Sequence, residues 1–140
     1  MNILKITTVA LAFFTFSCIT NAEDTTHQHP IDVWLDAHMS DDYSTAGMRK
    51  TTVEVQEMWD KEMNVVYRRL MSKLSPNQRA ILRESQRNWI KFSDSEGKVI
   101  LEIIAAQEGT IHQLMATGYG MNLVRERTLK LIAYEKNLAN

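Results

Sequence analysis

The chain has 140 residues, 16 basic and 17 acidic side chains for a formal net charge of −1, one cysteine and 44% hydrophobic residues. The near-neutral balance excludes the basic footprint of a nucleic-acid binder, and a lone cysteine excludes an internal disulfide. The length suits one domain able to bury about two-thirds of its unfolded surface.

Residues 1–22 read as a secretory signal. Lys5 supplies a short basic start, Ile6 to Phe16 an apolar run, and Thr20-Asn21-Ala22 a small-residue cleavage site. The apolar run is about half the ~20 residues of a membrane span, so no stable membrane insertion is expected. Cys18 offers a rival reading, cleavage before a lipidated cysteine, but the bulky Phe16 two residues ahead fits that poorly. Cleavage after Ala22 leaves 118 residues without cysteine, periplasmic or secreted, held together by packing alone.

Residues 23–30 are polar and aperiodic and read as a disordered tail ahead of one domain over 31–140. Two histidines in that tail, His27 and His29, have no third ligand nearby, so no metal is expected. Ile31 to Met39 reads as a short helix with Val33, Trp34 and Ala37 or His38 inward, and Ser40 to Thr45 as a turn with cap chemistry. From Ala46 to Leu74 the residues Met48, Thr52, Val55, Trp59, Met63, Val66, Leu70 and Leu74 recur every three or four positions, one apolar helical stripe.

Ser75-Pro76-Asn77-Gln78 is a helix start, with Ser at the cap, Pro at the first position and Gln closing a capping box. The helix it opens is expected to reach about Gln107, with Leu82, Trp89, Ile100, Ile103 and Ile104 on one face and Gly97 as a possible bend. The last helical stretch starts at Thr110. Gly118-Tyr119-Gly120 is expected to interrupt or bend it before Val124, Thr128 and Leu131 resume the stripe. No stretch reads as a strand. The expected fold is all-α, an antiparallel helical bundle of three long helices plus a short N-terminal helix.

Several polar residues fall on the apolar stripes. Gln86, Ser93 and Glu96 lie within 40° of the Leu82–Trp89–Ile100 line at 100° per residue. Glu62 lies beside Trp59 and Met63, and Arg127 flanks Val124 and Leu131. A buried carboxylate needs a donor, which makes Gln86, Arg127, Arg125 and the Trp89 indole candidates to serve Glu62 and Glu96. The pair could be catalytic acids, or else a network that fixes helix register or carboxylates at the rim of the bundle. The structural readings are favoured, because the chain offers no nucleophile–base spacing, no metal motif and no phosphate loop. Neither an enzyme nor a cofactor is expected. Mid-helix Asn64, four residues from Asp60 and near Tyr67, is expected to bond a neighbouring helix.

Charge is unevenly spread. Residues 23–62 carry ten acids against three bases, and residues 63–140 seven against twelve. The acids Asp32, Asp36, Asp41, Asp42, Glu54 and Glu57 form a candidate surface for a basic partner.

The segment from Trp59 to Leu70 (WDKEMNVVYRRL), then Leu74-Ser75-Pro76, then Leu82 to Phe92 (LRESQRNWIKF) resembles the LprI family, small exported bacterial proteins named after a lipoprotein reported to inhibit lysozyme. The likeness covers most of residues 31–136, and Asp60, Glu62, Asn64, Tyr67, Gln86, Arg87, Trp89, Asp94 and Glu96 stand at its motif positions. The resemblance implies an all-helical periplasmic protein whose partner is a lysozyme-type muramidase. An envelope adaptor without inhibitory activity is the alternative. Two family cysteines, which the resemblance implies form one disulfide, are replaced here by His38 and Thr51, leaving the first helix without that tether. Ser93 stands where the pattern has an arginine to serve Glu96, which shifts that role to Arg127 or to a proton.

Overall fold

The computed structural model describes residues 28–138. The signal segment, Cys18 and most of the expected tail lie outside them. Four α-helices follow in order, α1 (Pro30–His38), α2 (Thr45–Lys73), α3 (Pro76–Ile100) and α4 (Thr110–Leu138), with a π-helical turn, Leu101–Ala105, between α3 and α4. No strand occurs among the described residues. The all-α bundle expected from the periodicity is the observed fold.

Local chemistry sets the helix starts. Ser44 caps α2 by accepting from Gly47 N–H at 3.0 Å. Asp42 in turn accepts from Ser44 N–H at 2.9 Å. A Cβ at Gly47 would collide with the Asp42 side chain, so glycine lets the turn fold back tightly. The Ser75–Gln78 capping box forms as the sequence implies, with Gln78 Oε1 2.9 Å from Ser75 N and Ser75 Oγ 3.4 Å from Gln78 N.

Three expected boundaries move. The chain is ordered before Pro30: His29 caps α1 by accepting from Ile31 N–H, and its ring packs 4.4 Å from that of Trp59. The helix from Pro76 leaves the α path after Ile100, not at Gly97 and not at Gln107. Gly118 and Gly120 do not interrupt α4, which is helical through both. The cost of helical glycine is about 1 kcal/mol each, and packing against α2 offsets it. A Cβ at Gly120 would meet Gln56 Oε1 at 3.6 Å, ordinary van der Waals contact, so the helix faces do not require glycine there.

α2 and α4 share the most extensive interface and run parallel, since Arg49 meets Gln113 at one end and Arg69 meets Glu135 at the other. α3 returns antiparallel between them in sequence. The core has two parts. Met63, Val66, Leu70, Leu82 and Leu131 join α2, α3 and α4 near the Ser75 turn. Ile31, Val55, Trp59 and Met121 join α1, α2 and α4 in the other half. The Thr52–Leu70 stripe read from the sequence is buried throughout. In the second half α1 supplies the apolar cover, and α3 contributes no fully buried residue beyond Leu82. That division leaves open grooves along the distal half of α3.

Candidate functional site

The two halves of the sequence motif meet across one groove. Asp60, Met63, Asn64 and Tyr67 come from α2, and Arg83, Gln86, Arg87, Trp89 and Ile90 from α3, around a cavity of about 470 Å³. The antiparallel return of α3 after the capped turn places them opposite one another. Gln86 spans the interface: its Nε2 lies 3.6 Å from Met63 Sδ and its Oε1 accepts from Arg127 Nε at 2.9 Å.

Arg127 is the unusual member. Only 9% of it is exposed, yet its partners are neutral: Gln86, Ser85 Oγ at 3.2 Å, and the Trp89 ring, whose centroid is 6.0 Å from the guanidinium carbon. Burial pulls its guanidinium below the usual arginine range. No carboxylate lies within ion-pair distance among the described residues. The expected pairing of Arg127 with Glu62 or Glu96 is therefore corrected. Both glutamates are half-exposed and make no side-chain hydrogen bond among the described residues. Water solvates them, so neither needs the buried donor the stripe geometry implied.

Asn64 also differs from expectation. Its Nδ2 donates to Asp60 O at 2.8 Å and Asp60 Oδ2 at 3.3 Å, within its own helix. Asn64 is exposed and cannot reach across. Asp94 is exposed on α3, outside the groove. Ser93, where the resemblance led to an expectation of arginine, is half-buried and gives Glu96 no cation.

The candidate partner surface divides. Asp32 is only 8% exposed and accepts two hydrogen bonds from Arg125, so it is removed from that surface. Sequence reasoning missed this because the partner lies 93 residues away. Asp36 takes a hydrogen bond from Gln28 at 2.8 Å. Asp42 caps its turn, and the Ser44 backbone N–H holds its carboxyl below the usual range. Asp41, Glu54 and Glu57 are exposed, with Lys50 3.9 Å from Glu54. His38 and Thr51, where the resemblance led to an expectation of cysteines, bond locally: His38 Nδ1 lies 2.8 Å from Trp34 O, and Thr51 Oγ1 donates to Gly47 O. α1 is held by the Asp32–Arg125 pair and by Ile31 against Trp59 instead.

A second ion cluster was not foreseen. Glu135 on α4 accepts from Arg69 and Lys73 on α2 at 2.6–2.8 Å, which lowers its carboxyl to about 2. The only sequence signal was its place at the end of the α4 stripe.

Residues 36–131 match a family model described as lysozyme inhibitor LprI. No curated protein matches the chain. The fold is similar to the crystal structure of an uncharacterized protein from Burkholderia thailandensis, with 27% identity and a TM-score of 0.75 over 81% of this chain. The similarity spans 57% of that protein's chain.

Proposed function

The chain belongs to the LprI family of lysozyme inhibitors, and on that premise we propose that it is an exported binding protein that inhibits a lysozyme-type muramidase by protein–protein contact. The observation that carries this reading is the family match, which spans α2 and α3 whole and α4 to Leu131. The family's description is that of an inhibitor rather than an enzyme, and inhibition requires only that a partner's cleft be covered. A muramidase cleaves its glycosidic bond with two carboxyl groups in a cleft open to the polymer. Occupying the cleft or its approach stops the reaction without chemistry by the inhibitor.

Charge supports the same partner. The wall polymer carries carboxylates, so an enzyme that works on it gains from a cationic surface. The exposed acids Asp36, Asp41, Glu54 and Glu57 complement such a surface. The leader-like residues 1–22 support export to the compartment where a muramidase acts. The test is the lysis rate of a cell-wall suspension by a cationic lysozyme with purified protein in molar excess at low salt. Slower lysis is expected, and an unchanged rate sinks the proposal.

A further inference from the structure

Ile103, read from the sequence as a core residue, is 62% exposed. The π-helical turn explains part of this. Widening the hydrogen-bond step from four residues to five rotates the following side chains off the α stripe. The rest follows from α1, which covers Trp59 and Met121 and leaves the distal half of α3 without a second helix to bury it. The result is a groove of about 420 Å³ between α3 and α4, walled by Val99, Ile103, Tyr119 and Leu123 and edged by Glu96 and Glu126. On α4 the apolar ridge continues through Met115 (45% exposed) and Ile111 (50% exposed), each four residues from the next. Contiguous apolar surface of this kind, edged by polar groups, marks an interaction site.

The edge charges choose the occupant. Glu96 and Glu126 have no ion-pair partner among the described residues, and neither Lys98 nor Lys130, near in sequence, reaches one. Two copies joined through this face would set acid near acid. A cationic protein that offers an apolar side chain flanked by lysine or arginine fits both the floor and the edge. We propose that this groove is the face on which the muramidase docks. The inference rests on the inhibitor reading and adds to it the surface, which is not the N-terminal acidic segment alone.

The experiment measures inhibition of a cationic lysozyme by the wild-type chain, by Ile103→Asp, by the double variant Glu96→Lys with Glu126→Lys, and by Glu84→Lys as a control outside both the groove and the N-terminal acidic segment. All four positions are at least partly exposed, so circular dichroism and melting should match wild type. The groove variants are expected to raise the inhibition constant at least about tenfold, with Glu84→Lys changing it by less than about threefold. Inhibition by the groove variants equal to wild type overturns the surface and leaves the inhibitor reading standing. If the wild type itself neither binds nor inhibits, the inhibitor reading fails and this inference fails with it. A wild-type dimer that Ile103→Asp dissolves assigns the face to self-association and also overturns it.

Discussion

Asp32 on α1 and Arg125 on α4 form a two-pronged ion pair, with Nε–Oδ1 at 2.8 Å and Nη2–Oδ2 at 2.7 Å. The Arg125 guanidinium also lies 5.7 Å from the centre of the buried Trp59 ring, so one side chain ties α1, α2 and α4 together. Asp32→Asn should cost about 1–2 kcal/mol, a value discounted because a third of the Arg125 side chain stays in water. Chemical denaturation would measure the loss. Hydrogen exchange should show it concentrated in α1.

Glu135 should give acid sensitivity. Its carboxyl is held at about 2 by Arg69 and Lys73, against 4.5 for an unperturbed glutamate. A depressed folded value means its contribution is fully present above pH 4.5 and is lost as the pH falls toward 2. Glu135→Gln should therefore be less stable than wild type at pH 6, and the gap should close between pH 4.5 and 2. Thermal melts across that range check the sign.

Arg127 and Gln86 should behave as a coupled pair. Gln86→Leu leaves a nearly buried guanidinium with only Ser85 and the Trp89 face, and should cost about 2 kcal/mol. Arg127→Met removes the buried charge itself and should cost less, about 1 kcal/mol or below. The double variant should be more stable than the sum of the singles by roughly 1 kcal/mol, as a double-mutant cycle would reveal.

Capping at the start of α2 should be measurable in two steps. Ser44→Ala removes the acceptor for Gly47 N–H and should cost about 1 kcal/mol. Gly47→Ala would normally favour a helix, yet here its Cβ meets Asp42, so it should also destabilise. A stabilised Gly47→Ala protein would contradict the close turn.

The helices were legible because their stripes are long. Thr52, Val55, Trp59, Met63, Val66 and Leu70 are all buried as the spacing implies. The Ser75–Gln78 start was legible because all of its chemistry is local. Pairings were not. The carboxylate of Asp32 finds Arg125 93 residues away, and Glu135 finds Arg69 66 residues away, and periodicity holds no information on such pairings. Stripe geometry also overstated burial along α3 and the π-helical turn: Glu96 and Ile103 were expected on the apolar side, but α1 has taken the cover that side would need. The motif residues Asp60, Asn64, Tyr67, Gln86, Arg87 and Trp89 do converge on one groove, a convergence that a motif split over two antiparallel helices implies.

Inhibition of a cationic lysozyme measured over a salt series tests charge-guided docking on the α3–α4 groove most directly. Between about 20 and 300 mM salt the screening length falls from roughly 20 Å to 6 Å. Contact through Glu96 and Glu126 should then give inhibition at low salt that weakens by about tenfold across the series. Lysis at the rate of the enzyme alone at every salt concentration, or inhibition indifferent to salt, would contradict it.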